Sequence, residues 1–175
     1  MKIILIFVSS LDGKVTKWGD SHVQKWSSKE DQAYFKKIWD ANTLVIMGSG
    51  TYDAEPFKPP MHNHLLIVTS RPENYADKVI PGQLDFTSET PAELTARLEA
   101  EGNKQVLLVG GPHLATAFLK ENLVDELWLT LEPRIFGTGS NFAVDEELDI
   151  KLKLLESEKV NEQGTLITKY AVLHD

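Results

Sequence analysis

The chain has 175 residues, 42% hydrophobic and 25% charged, with a net charge of −8; this is enough to bury a real core in one domain without staples. The negative balance, with no Lys/Arg-rich stripe among aromatics, argues against a nucleic-acid partner, and no apolar run approaches the roughly 20 residues needed to cross a bilayer. The absence of cysteine removes disulfides, thiolate zinc sites and a cysteine nucleophile, and fits a reducing, cytoplasmic setting.

The opening apolar run Ile3–Val8 is too short for a signal peptide, and SSLDGK comes next in place of a small-residue cleavage site. It reads as the first strand of a buried sheet. Ser27 and Glu30 then carry the spacing of a capping box, which predicts a helix running towards Trp39. Asp31, Tyr34, Phe35 and Ile38 fall at i, i+3, i+4 and i+7 on one face of that helix. Two readings of Asp31 stay open: a carboxylate turned inward among apolar neighbours, or an early-helix acid at the rim that favours the dipole.

Further along, Leu44–Met47, Leu65–Thr69 and Val106–Val109 are continuous apolar runs of the kind found in strands covered on both faces. Thr90-Pro91 with Glu93 starts a helix that Gly102 ends, and another runs from about His113 to Asn122. Glu126–Glu132 alternates, and Lys153–Val160 and Thr165–Leu173 pair around the turn Asn161–Gly164. The prediction is one α/β domain over residues 1–175, its sheet parallel at first and closed by an antiparallel C-terminal hairpin.

Each of the first strands runs into small, hydroxylated or glycine-rich residues: SSLDGK after Val8, GSGTYD after Met47, SRP after Thr69, GGPHL after Val109. Open α/β sheets bind ligands at that carboxyl edge, where glycines let backbone approach a phosphate and helix amides donate to it. Gly48-Ser49-Gly50-Thr51 begins like a dinucleotide fingerprint, but Asp53 stands where the third glycine belongs. Taken singly, each segment is a plain turn as readily as a ligand loop; their coincidence on one edge carries the reading. His62 and His64 read as exposed loop histidines and not as metal ligands. Asp145–Asp149 reads as a solvated loop, and Ser9-Ser10 lacks the elbow of a serine hydrolase.

These residues resemble the dihydrofolate reductase family. Trp26 precedes Asp31 by five positions and Phe35 stands one turn later; Gly48 and Thr51, Thr69-Ser70-Arg71, Val109-Gly110-Gly111 and Thr130 occur in the same order. Ser10-Leu11-Asp12-Gly13-Lys14, Leu123–Leu127, Pro133 and Gly137-Thr138-Gly139 are similar to the reductase domain of bacterial riboflavin biosynthesis, a second branch of that fold. The resemblance implies a three-layer dihydrofolate reductase-like fold and NADPH as cofactor. It further implies Asp31 as proton donor, with Trp26 beside it and Thr130 fixing its carboxylate. By the same resemblance Val8, Gly13, Gly48, Ser49, Gly50, Thr51, Thr69, Ser70, Arg71, Val109, Gly110, Gly111, Pro112, His113 and Leu114 would hold the cofactor. Ser10, Tyr34 and Phe35 would meet a heterocyclic substrate.

Departures stand beside these matches. Val109 replaces the glutamate usual in the riboflavin branch, and the first helix offers Lys36 and Lys37 where that branch has arginine. Pro59-Pro60-Met61 and His62-Asn63-His64 occupy positions where substrate-holding arginines are expected. Two function classes therefore stay open: a reductase of a pterin or pyrimidine, or a nucleotide-binding protein on the same scaffold without catalysis. Assembly stays open: the C-terminal hairpin edge could pair in a homodimer, as on the riboflavin side, or its charges could keep the chain monomeric.

Overall fold

A computed structural model describes residues 1–54, 62–144 and 147–174. The Pro59–Met61 stretch and the acids Asp145 and Glu146 lie outside them. The strands are β1 (Lys2–Ser10), β2 (Leu44–Gly48), β3 (His64–Val68), β4 (Leu84–Thr87), β5 (Gln105–Val109), β6 (Glu126–Glu132), β7 (Lys151–Lys159) and β8 (Leu166–Leu173). The helices are α1 (Lys29–Asp40), α2 (Ser49–Ala54), α3 (Pro91–Ala100) and α4 (Pro112–Lys120).

All eight strands form one sheet in the order β4-β3-β2-β5-β1-β6-β8-β7. It is parallel from β4 to β6, and β8 and β7 complete it antiparallel. The expected mixed sheet is what the chain builds. Alternation along β1 distributes the core to two sides. Ile3 and Leu5 join Leu94 and Leu98 of α3 and Phe118 and Leu119 of α4, while Ile4 and Ile6 join Trp39 of α1 and Tyr52 of α2. The result is three layers, helix on sheet on helix. Among the described residues no helix is long and apolar enough to cross a membrane.

Several elements differ from the sequence expectation. β4 has no counterpart there, because Leu84-Asp-Phe-Thr87 is short and has a polar residue in its middle; pairing with β3 makes it a strand. The start of α1 shifts by one residue. Ser28, and not Ser27, is the N-cap, and its side chain accepts from Asp31 N at 3.2 Å. The backbone N–H of Ser28 donates to Glu132 Oε1 at 2.7 Å, so a carboxylate from β6 takes the part expected of the capping-box glutamate. α4 ends at Lys120, and Asn122 takes the left-handed conformation beyond it (φ 58°).

The hairpin of β7 and β8 forms around Asn161–Gly164, where Asn161 Oδ1 accepts from both Gly164 N and Thr165 N at 3.0 Å. β7 is the sheet edge, and all nine of its residues are exposed, Leu152, Leu154 and Leu155 among them. Its register slips between Leu154 and Glu156.

Candidate active site

The first turn of α1 delivers Asp31 to the sheet. Of the two readings of this residue, the inward one holds: Asp31 is 5% exposed. Hydroxyls of Thr130, on β6, and of Ser27, just before the N-cap, hydrogen-bond to its carboxylate. Burial pushes the carboxyl up to about 6; those hydrogen bonds oppose the rise, and the negative charge of Glu132 adds to it. A carboxyl of this kind can hold or release a proton near neutrality. Val8 is the register partner of Thr130 across β1 and β6, so both belong to this corner.

Trp26, just before α1, is 2% exposed, its ring edge-on to Phe136 at 5.1 Å. Trp26 Nε1 and Tyr34 Oη are buried with no hydrogen-bond partner among the described residues. Such donors usually meet water or a ligand. Tyr34, Phe35 and Ile38 are half-buried, and Trp39 is the buried aromatic of α1. Ser10 is fully buried and its hydroxyl closes a turn: it donates to Asp12 Oδ1 at 2.5 Å and accepts from Lys14 N at 3.0 Å. Its hydroxyl is therefore engaged within the loop. Gly13 lies in that turn with φ 77°, which a side chain would oppose.

Two glycine-rich segments converge at the carboxyl ends of β2 and β5. Gly48 N donates to Gly110 O at 3.3 Å, and a Cβ at Gly48 would stand 3.9 Å from Leu114 Cβ. A Cβ at Gly110 or Gly111 would meet Thr51 Oγ1 at 3.5 or 3.2 Å. Gly110 has φ 50°, and the peptide joining it to Gly111 is cis. Gly111 is the N-cap of α4 and supplies no side-chain cap, with Pro112 next in the chain. Bare backbone under Thr51 and an uncapped helix start fit a phosphate-bearing group, which takes its hydrogen bonds from such amides. Ser49, Gly50 and Thr51 form the first turn of α2 directly after β2.

Thr69, Ser70 and Arg71 come after β3 at the same edge. Thr69 N still pairs with Thr87 O at 2.8 Å, Arg71 N donates to Thr69 Oγ1 at 3.3 Å, and Ser70 and Arg71 are exposed. His113 is exposed and Val109 half-buried. His64 Nε2 lies 2.7 Å from Asp85 Oδ2, away from this edge, while His62 is exposed.

Sequence reasoning missed Glu132, which is 2% exposed and shares with Thr130 the face of β6 that meets α1. The alternation of Glu126–Glu132 held the signal, since a residue two places after Thr130 must point the same way. It also cast Ser27 as the N-cap and gave Asp12 no distant partner, whereas the Asp12 carboxylate accepts from Phe136 N at 3.1 Å and Gly137 N at 2.7 Å.

The fold is shared with solved proteins. A pyrimidine reductase-like protein from Corynebacterium diphtheriae superposes with a TM-score of 0.80, covering 99% of this chain and 92% of that one at 18% identity. Dihydrofolate reductase from Enterococcus faecalis, complexed with NADP(H), gives 0.66 over 98% and 96% at 16% identity. In sequence, YyaP of Bacillus subtilis (strain 168) is 30% identical over 170 residues, 89% of this chain and 87% of that protein. The profile of the RibD C-terminal domain matches residues 1–166, and the chain belongs to that family.

Proposed function

We propose that the protein is an NADPH-dependent reductase of a small heterocycle, a pterin or a ribosylaminouracil-like pyrimidine. The observation that carries this reading is the buried Asp31 carboxyl, held by Thr130 and Ser27 and raised to about 6, on a sheet whose carboxyl edge also carries the bare glycine cradle.

Gly48, Thr51, Gly110, Gly111 and the start of α4 would hold the pyrophosphate, and Ser70 and Arg71 the 2′-phosphate. When bound, NADPH supplies a hydride. The chain's own residues handle the proton. Asp31 in its acid form donates to a ring nitrogen of the substrate, and Thr130 keeps the carboxyl aimed. Trp26 and Phe136 exclude water from that corner. Since the protonated form does the work, turnover falls as pH rises through about 6.

The test is NADPH oxidation with dihydrofolate and with a ribosylaminouracil phosphate as acceptors, beside Asp31→Asn. A fall of about 10²- to 10⁴-fold in kcat with NADPH affinity retained is expected. Full activity in Asp31→Asn removes this mechanism, and tight NADPH binding with no acceptor turned over favours the non-catalytic reading.

The reading includes a homodimer through β7. The register slip puts Lys151, Lys153, Glu156 and Glu158 opposite Leu173, Ala171, Lys169 and Ile167 of β8, hence on one face of the sheet. An antiparallel two-fold pairing centred between Leu154 and Leu155 sets Lys153 opposite the second copy's Glu156 and Lys151 opposite its Glu158. Opposite charges across strands favour that register.

A further inference from the structure

Glu132 is a second acid buried at the start of α1, and nothing in the proton-donor reading uses it. Both its oxygens are engaged: Oε1 accepts from Ser28 N at 2.7 Å and Oε2 from Thr165 Oγ1 at 2.8 Å. Thr165 is itself buried, and Asn161 grips it by accepting from its N–H and donating Nδ2 to its hydroxyl at 2.9 Å. The same Asn161 Nδ2 lies 3.1 Å from Glu30 Oε2. One carboxylate thus joins three places: the N-cap of α1, the end of β6 and the turn between β7 and β8. Three residues beyond the N-cap stands Asp31, whose own N–H is bound to Ser28 Oγ.

We infer that Glu132 is a positioning residue for Asp31, fixing the first turn of α1 against β6 and the hairpin turn and setting a second negative charge beside the Asp31 carboxyl. The catalytic meaning of this rests on Asp31 being the proton donor; the placement of Glu132 against the first turn of α1 rests on its own hydrogen bonds. Burying a second acid beside the first is unfavourable unless its oxygens are satisfied, and here each has a donor. A leucine would leave the Ser28 N–H and the Thr165 hydroxyl without acceptors, whereas a glutamine could keep both ties and differs in charge. The titratable groups around Asp31 are Tyr34, one turn along α1, Glu132 from β6, and Glu156 from β7, whose charge acts on Tyr34. Tyr34 is pushed up to about 12, by burial first and then by Glu156 and Asp31, and so stays neutral. That leaves Glu132 as the charged neighbour acting directly on Asp31.

The experiment is a titration of the Asp31 carboxyl carbon by ¹³C NMR in the wild-type protein, Glu132→Gln and Glu30→Gln, with no substrate needed. In Glu132→Gln the new amide oxygen can still accept from Ser28 N, and the Thr165 hydroxyl can turn to accept from the amide NH₂, so the ties are kept and the charge removed. The Asp31 midpoint is expected to fall by about half a pH unit or more in Glu132→Gln and to hold in Glu30→Gln. A wild-type midpoint in the ordinary carboxyl range, an unmoved midpoint in Glu132→Gln, or an equal shift in Glu30→Gln overturns the inference.

Should Glu132→Gln fail to fold, Glu132→Asp separates reach from charge. The Ser28 amide should then exchange about tenfold faster while the Asp31 midpoint stays raised; unchanged Ser28 protection refutes the positioning role. The two readings come apart cleanly. If no acceptor is reduced yet the Asp31 midpoint moves with Glu132, the reductase reading fails and the coupling stands. Where turnover exists, its pH profile should shift to lower pH in Glu132→Gln, which a purely structural part would not produce.

Discussion

Replacing Asp31 by Asn should make the protein more stable, and by an amount that depends on pH. Burial raises the Asp31 carboxyl from an ordinary 3.8 to about 6, a difference of about 2 units, or roughly 3 kcal/mol at about 1.4 kcal/mol per unit. The sign comes from proton counting. Between pH 4 and 6 the native state binds more protons at this position than the unfolded chain, so stability falls as pH rises there. The contribution of Asp31 is fully present below about pH 4 and lost as pH rises through about 6. Asparagine is nearly the same size and never ionises. Its amide can meet the Thr130 and Ser27 hydroxyls, which turn to accept. At pH 8 Asp31→Asn should therefore be more stable by about 2–3 kcal/mol, a gain of roughly 5–10 °C in Tm for a domain of this size. At pH 4 the two proteins should coincide. Urea unfolding followed by tryptophan fluorescence at pH 4, 5, 6, 7 and 8 measures this, because the carboxylates not coupled to Asp31 cancel in the difference. A gap that stays constant from pH 5 to 8, or a wild type more stable than the variant at pH 8, would refute the argument that Asp31 is buried at an electrostatic cost.

Arg71→Ala should weaken NADPH by roughly tenfold or more while leaving NADH nearly unchanged; isothermal titration with both cofactors checks it, and equal losses would take Arg71 away from the 2′-phosphate. Gly139→Ala should be among the most damaging single changes in the loops, costing about 2 kcal/mol or more. Gly139 has φ 153°, and an added Cβ would lie 2.1 Å from Thr16 O; a thermal melt within a degree of wild type would contradict that crowding. For assembly, Lys153→Glu should weaken the dimer seen by sedimentation, and the swap Lys153→Glu/Glu156→Lys should restore it. A monomeric wild type at tens of micromolar would remove the β7 pairing.

How much of this could be read from the chain depends on whether the governing contact is local. The helix of Asp31 announces itself through Tyr34, Phe35 and Ile38, but their spacing left the acid inward or at the rim, and only its burial in the fold decides for the inward position. The first residue of that helix does not, because the partner that sets it, Glu132, is 104 residues away. β4 is invisible for a similar reason: Leu84–Thr87 has no periodicity of its own and becomes a strand only against β3. The glycine-rich segments were legible as one edge, yet their mutual approach, with Thr51 over Gly110 and Gly111, needs the strand order that places β5 beside β2. Ser10 shows the local case: the neighbouring Asp12 and Lys14 engage its hydroxyl within the loop.

The Asp12 carboxylate ties the loop after β1 to Phe136 and Gly137, sequence separations of 124 and 125, and Val15 N and Trp18 N reach on to Ser140 O and Thr138 O. The consequence is one of timing. During synthesis from the N-terminus, the first strand and its loop emerge early, but the rim beside Trp26 stays unfinished until residues 124 and 125 positions further on have left the ribosome. Contacts of such span also slow folding. The corner beside Trp26 is thus completed well after the strand that begins it, once both ends of that span are present.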